Sequence, residues 1–261
     1  MLDAEPWIRS FPSAALPVTP WTVLFFPHSG GSADSCRDLA ARLADTARTA
    51  CVQYPGRAER GREPLFTDVH VLADQVAEAL APVRGDGPLV LFGHSLGAAV
   101  AYEVVRRMPD QRRLVLVASG HPAPSRIRLP VLEDPVGESS GDFEGPLVEL
   151  IGSLGGADAG LLEHPVLREM FLPVIRGDLM AYSRYRPAAG SAVDCPVVAL
   201  TGTTDPLTNP LDVRAWERHT SSTLRVHELP GGHFFTNEHA EKVADVLRGV
   251  MTNEWALDER P

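Results

Sequence analysis

Cysteine is scarce in this chain of 261 residues: Cys36, Cys51 and Cys195 make an odd number with no C-x-x-C spacing. Neither a disulfide framework nor a zinc site is indicated, and a reducing cytoplasm is the expected compartment. No apolar run approaches the length of a membrane-spanning helix, so no membrane association is expected. The opening residues, Met1-Leu2-Asp3-Ala4-Glu5-Pro6-Trp7, lack the basic and apolar segments of a signal peptide. Positive charge is in deficit, with 24 Lys and Arg against 34 Asp and Glu. A net charge of −10 argues against nonspecific binding to nucleic acid. Internal repeats and low-complexity linkers are absent, as are the G-x-G-x-x-G and G-x-x-x-x-G-K-[ST] phosphate loops. What remains is globular, 44% apolar and 22% charged. The length fits one α/β domain with an insertion and a large core.

The apolar run Pro88-Leu89-Val90-Leu91-Phe92 leads directly into Gly93-His94-Ser95-Leu96-Gly97. A strand that turns sharply into a helix at G-x-S-x-G leaves its serine exposed at the turn as a nucleophile. Side chains at Gly93 and Gly97 would collide with neighbouring backbone. The small apolar residues Ala98 to Val105 suit a helix packed on a sheet. Serine capping an ordinary helix is the plainer reading of such a pattern, and it is tested by whether the rest of the chain supplies a base and an acid.

In the α/β-hydrolase order the acid follows the serine, and the histidine comes last. Of nine histidines, only His233 follows a late strand-like run (residues 223–229) inside a tight Pro230-Gly231-Gly232 turn. His239 is its nearest rival, in what reads as the first turn of the last helix. For the acid, Val197-Val198-Ala199-Leu200-Thr201 reads as a buried strand, and Asp205 lies in the loop that leaves it, stiffened by Pro206. Asp194 precedes its strand, and Asp212 could cap a helix. The strand after the elbow helix ends in Ser119-Gly120-His121 without a carboxylate. The candidate triad is thus Ser95, Asp205 and His233. An oxyanion hole needs two backbone N–H groups. Leu96 supplies one, and Ser29, in the loop Pro27-His28-Ser29-Gly30-Gly31-Ser32, is chosen over His28 for the other.

The coarse order is strand (22–26), strand (49–53), helix (68–82), strand (88–92), helix (95–108) and strand (113–118), then strand (197–201), helix (211–219), strand (223–229) and helix (238–251). Such alternation means a mostly parallel sheet with helices on both faces. Residues 1–121 and 191–261 form the hydrolase core, and 122–190 form a helical lid insertion over the strand ends. Within the insertion, Leu147, Leu150, Ile151 and Leu154 make one helical stripe, and Leu167, Met170, Phe171, Val174 and Ile175 another. Gly155-Gly156 separates them, and Pro173 should kink or restart the second helix. These stripes are either plain core or the wall of an acyl cleft. On the second reading His28, Leu154, Phe171, Ile175 and Phe234 are the candidates for contact with substrate.

The blocks Phe26-Pro27-His28-Ser29-Gly30-Gly31, Gln53-Tyr54-Pro55-Gly56-Arg57, Phe92 to Ala98, Ser119 to Pro124, Leu172 to Asp178, Tyr185 and Pro230 to Phe235 stand in an order more specific than any one of them. From about residue 20 to residue 250 the chain resembles the type II thioesterases, editing hydrolases that accompany polyketide and nonribosomal peptide synthases. Ser29 and Leu96 depart from the alanine and methionine often found there, at positions that act through backbone N–H. The resemblance implies hydrolysis of acyl groups from the phosphopantetheine arm of an acyl or peptidyl carrier protein, without metal or organic cofactor, and a monomer is expected. A general carboxylesterase or lipase, a cyclising thioesterase and a non-catalytic acyl-binding protein are the alternatives. Carrier proteins are acidic, so a basic docking patch is needed; Arg57, Arg60 and Arg62 in one loop are the candidates, with Arg106, Arg107, Arg112 and Arg113 around the end of the elbow helix.

Overall fold

The computed structural model describes residues 4–13, 21–127, 144–155, 164–188, 190 and 192–252. Its sheet follows from strands that are apolar on both sides. β2 (Thr22–Phe26), β3 (Arg48–Val52), β4 (Leu89–His94), β5 (Leu114–Ser119), β6 (Val197–Gly202) and β7 (Leu224–Leu229) are mutually parallel, with β1 (Ile8–Ser10) antiparallel to β3. Strand order across the sheet is β1-β3-β2-β4-β5-β6-β7. Alternate residues along each central strand enter opposite cores. Leu24, Leu89, Leu91, Leu116 and Val197 pack on one face with α2 (Val69–Leu80) and α3 (Leu96–Arg107). Phe25, Val90, Phe92, Val117 and Leu200 pack on the other with α1 (Arg37–Arg42) and the C-terminal helix. Because these strands run parallel, the loops that leave them gather along one edge of the sheet.

Between β5 and β6 lie α4 (Glu144–Leu154) and α5 (Pro165–Arg184). After β6 come α6 (Pro210–Arg214), a 3-10 turn (Ala215–His219), and after β7 the short α7 (Phe235–Glu238) and α8 (Ala240–Thr252). Asn209 starts α6 by accepting the Leu211 and Asp212 N–H groups. Asp68 does the same for α2 through His70 and Val71. No helix among the described residues is long and apolar enough to cross a membrane.

Two elements, β1 and α1, add to those expected, and three expectations are corrected. β1 and α1 have three and six residues, too few for a hydrophobic period to register. The helix expected over 211–219 tightens to 3-10 geometry after Arg214. Pro173 does not restart the second insertion helix, since α5 runs through it for 20 residues. The buried face of α5 is Leu172, Ile175, Asp178, Ala181 and Tyr182, so Met170 is 62% exposed rather than part of an inner stripe. Gly155 ends the described part of α4 at φ +71°, and its partner Gly156 lies outside the described residues.

Candidate active site

β4 delivers Ser95 at a turn where φ is +54°, a left-handed conformation that a serine adopts only under constraint. The constraint is close packing. A Cβ on Gly93 would strike the backbone of Gly97 and Ala98, and a Cβ on Gly97 would strike the Phe26 and Pro27 carbonyls. The Ser95 N–H donates to the Ser119 carbonyl (2.8 Å), and the Ala98 N–H to the Ser95 carbonyl (2.9 Å). Leu96 is the first residue of α3, so its N–H is one of the helix donors left without an intrahelical acceptor.

The loops after β6 and β7 are zipped together. Thr203 and Thr204 donate their N–H groups to the Leu229 and Gly231 carbonyls at 2.8 and 3.0 Å, and Gly202 leaves no room for a side chain beside Gly232. This brings His233 onto Asp205. Nδ1 of the imidazole lies 3.0 Å from Asp205 Oδ2 and 3.1 Å from Oδ1, with both side chains buried. Nδ1 donates here, because an ionised carboxylate can only accept; Nε2 is left as the basic nitrogen. Asp205 is itself held by the Leu207 N–H, 2.9 Å from Oδ1. His239, the rival, is not in this pairing; it follows α7 directly.

Gly120, at φ +58°, lies between the elbow and the imidazole. A Cβ there would stand 3.3 Å from His233 Cε1 and 2.7 Å from His94 Cε1. Its neighbour Ser119, the last residue of β5, accepts the Ser95 N–H, so the end of β5 holds Ser95 while Gly120 leaves room for the His233 ring. In the sequence this loop is marked only by its lack of a carboxylate, and Gly120 carries no signal there. Around them is a nest of rings, with His94 5.1 Å from His233, 5.9 Å from Phe234 and 6.1 Å from His28. Burial, and then repulsion from His233 and His28, hold the His94 imidazole well below its ordinary pKa. His94 Nδ1 meets Ser119 Oγ at 3.0 Å, while its Nε2 is buried without a partner.

Ser29 sits in a turn closed by the Gly31 N–H on the His28 carbonyl (3.0 Å). In a trans peptide the N–H points opposite to the carbonyl, so the Ser29 N–H faces away from Gly31. The next peptide is held at both ends: Ser29 O by His28 Nδ1 (2.9 Å), and Gly30 N–H by Asp178 Oδ2 (2.8 Å).

Of the residues expected to touch substrate, Phe234 is 6% exposed and packs edge-on against His28 and His233. Ile175 presses on Gly30, where a Cβ would stand 2.5 Å from its Cγ1. Phe171 is half-buried against the cluster of Leu147, Ile151, Leu172 and Ile175. Leu154 brings its carbonyl within 3.9 Å of where a Gly232 Cβ would be. A cavity of about 560 Å³ opens between α4 and α5, lined by Leu147, Leu172, Pro173 and Met180 among others, and by none of those five candidates. Among the described residues, no group of three or more His, Cys, Asp or Glu side chains could hold a metal ion.

Two arginines of the expected docking patch are taken from it, while Arg62 and Arg113 stand exposed. Arg57 and Arg60 are each 5% exposed. Arg57 pairs with Asp178, and Arg60 lies 3.9 Å over the Trp7 ring, donating to Gln53 O and to Glu63. Arg106 and Arg107 fold onto the buried Glu103, and Arg112 pairs with Asp110.

Residues 22–250 match the family model described as Thioesterase domain. Thioesterase PikA5 of Streptomyces venezuelae is 34% identical, covering 99% of this chain and 90% of that protein. A relative from Streptomyces griseus, named for a thioesterase of cadicidin biosynthesis, is also 34% identical over 92% of this chain, which spans 64% of the relative's length. The solved structure of the type II thioesterase BorB, from the borrelidin biosynthetic cluster, superposes with a TM-score of 0.80 at 34% identity, over 95% of this chain and 99% of that one.

Proposed function

The chain belongs to the thioesterase family, and on that footing we propose that it clears acyl groups from the phosphopantetheine arms of carrier proteins, by an acyl-enzyme route on Ser95. The observation that carries this reading is the buried His233–Asp205 pair beside Gly120, which follows the strand end that holds a serine at a strained elbow. Ser95 Oγ attacks the thioester carbonyl while His233 Nε2 takes its proton. Asp205 fixes the Nδ1–H tautomer and stabilises the imidazolium. The Ser29 and Leu96 N–H groups receive the oxyanion. The imidazolium returns its proton to the departing thiol; water, deprotonated by the same nitrogen, then releases the free acid. No metal or organic cofactor enters this scheme, and the phosphopantetheine belongs to the partner.

The relatives support the substrate class, since BorB is a type II thioesterase of a biosynthetic cluster and the Streptomyces griseus relative is named for cadicidin biosynthesis. The insertion serves as the lid in this proposal, with Ile175, Phe171 and Leu154 beside the acyl group and His28 and Phe234 beside the thioester. Ile175 against Gly30 and Leu154 against Gly232 favour that placement. The test is hydrolysis of acetyl- and propionyl-carrier protein beside the matching free thioesters and p-nitrophenyl esters, with Ser95→Ala as control. Faster turnover of carrier-bound acyl groups, abolished in the variant, is the expected result. Ester turnover indifferent to the carrier would replace the reading with a general esterase.

A further inference from the structure

The segment that leaves β3, Gln53 to Arg57, holds the loop after β2 at three points, and Asp178 of α5 adds a fourth. Tyr54 Oη donates to the Pro27 carbonyl (3.3 Å), and Gln53 Oε1 accepts the Ala33 N–H (2.9 Å). Between them the Arg57 guanidinium meets Asp178 of α5 in a two-pronged pair, Nη2–Oδ1 2.6 Å and Nη1–Oδ2 2.7 Å. The same Asp178 Oδ2 accepts the Gly30 N–H, and the same Arg57 Nη1 reaches the Gly31 carbonyl at 3.3 Å. The Arg57 side chain is 4% exposed and the Asp178 side chain 0%. Burial pushes the Asp178 carboxyl up, against the pull of Arg57 and of the Gly30 N–H.

A fully buried ion pair returns little net stability, because desolvation of both charges offsets their attraction. Its geometry here gives it another task. The pair grips the N–H of Gly30 and the carbonyl of Gly31, the two groups that follow Ser29 and decide how the turn is oriented. We propose that Arg57 and Asp178 are positioning residues for the oxyanion hole: they clamp the 28–31 turn so that the Ser29 N–H is aimed before substrate arrives. The clamp rests on the proposed acyl-enzyme reading. It acts through a preorganised donor, so it should be felt in the transition state and little in ground-state binding.

The test uses Arg57→Met/Asp178→Leu, which removes both charges together so that neither is left buried alone, and Asp178→Asn, which keeps an acceptor for Gly30. Wild-type protein must first hydrolyse a free acyl thioester and be labelled at Ser95 by a fluorophosphonate; failure there sinks the catalytic reading and not the clamp. Given wild-type activity, the double variant should fold, with kcat down about 10²-fold and KM little changed. Its affinity for an acyl trifluoromethyl ketone, which forms an oxyanion on Ser95, should fall by the same factor as kcat/KM. Asp178→Asn should show the same signature at about tenfold. A folded variant with unaltered kcat, or a loss carried by KM alone, would overturn the clamp. Should both variants unfold, amide exchange in the wild type decides: a protected Gly30 N–H is expected, and exchange at the rate of a free loop overturns the proposal.

Discussion

Gly120→Ala separates stability from catalysis more cleanly than a change in the triad would. Gly120 has φ +58°, and an alanine there carries a left-handed penalty of about 1 kcal/mol. Its methyl would also lie 2.7 Å from His94 Cε1 and 3.1 Å from Nδ1. The His94 ring cannot retreat freely, being walled by Phe234, Phe235 and His28 as well as by His233. Overpacking of this kind adds about 1 kcal/mol at the least. The sum of about 2 kcal/mol lowers the melting temperature by roughly 4–8 °C. From an ordinary stability of about 5 kcal/mol it still leaves about 99% of the molecules folded at 25 °C. Activity should fall much further, by about 10²-fold in kcat, if the displaced imidazoles include the base proposed for Ser95. Gly85→Ala is the matched control: φ is +66° with nothing within 4 Å of the added carbon, so stability alone should change. Thermal unfolding, hydrolysis of a free acyl thioester and the rate of Ser95 labelling are measured on both. If kcat of Gly120→Ala falls no more than the folded fraction, the idea that this glycine spaces the base from the elbow is wrong.

Asp205→Asn should reduce kcat by about 10⁴-fold with folding preserved, since the amide supports the wrong imidazole tautomer; near-wild-type turnover would mean that another carboxylate orients His233. His121 is buried against Tyr182 Oη at 2.6 Å, and burial pushes its pKa down to about 4. The unfolded chain binds that proton near pH 6.5, so stability is full above pH 6.5 and falls as pH drops toward 4, by about 3 kcal/mol in all. The buried His94 adds a loss of the same sign. His121→Gln should flatten the stability–pH slope in this window, and an unchanged slope would remove His121 from the account. Tyr185→Phe deletes the 2.8 Å bond to the fully buried Glu103, a loss of about 2 kcal/mol that thermal unfolding should register as a drop of roughly 4–8 °C.

Much of the sheet can be read from the chain because its information is local: runs such as Leu114–Ser119 are apolar on both faces, and only a covered parallel sheet accommodates that. The elbow is equally local. Asp205 and His233 follow from a fold rule, the carboxylate and the imidazole at successive strand ends, and the structure brings them within hydrogen-bonding distance. What sequence could not supply depends on partners far along the chain. Arg57 reads as a surface charge until Asp178, 121 residues later, is placed on it. The same ion pair explains why the apolar period of α5 misplaces its inner face, since a buried carboxylate breaks the pattern that apolar counting follows. β1 fails for want of length, its three residues ordered by pairing with β3. Gly120 gives no signal of its own; its role exists only once three strand ends have converged.

Helix α5 carries Asp178 and Tyr182 and ends at Tyr185, and the three bond to Arg57, His121 and Glu103 on three different segments of the core. A helix tied this way has one register. Slipping by a residue, or rotating by a third of a turn, would strand Arg57 and Asp178 in a dry interior and take a hydrogen-bond partner from His121 and from Glu103 at once. Its opening turns are under no such obligation, for Val166 and Met170 stand in solvent beside the cavity between α4 and α5. Variation is therefore channelled: the solvent-facing positions of residues 165–170 can be rewritten with little cost to the core, while the stretch beyond Pro173 changes only by coordinated replacement at several distant sites.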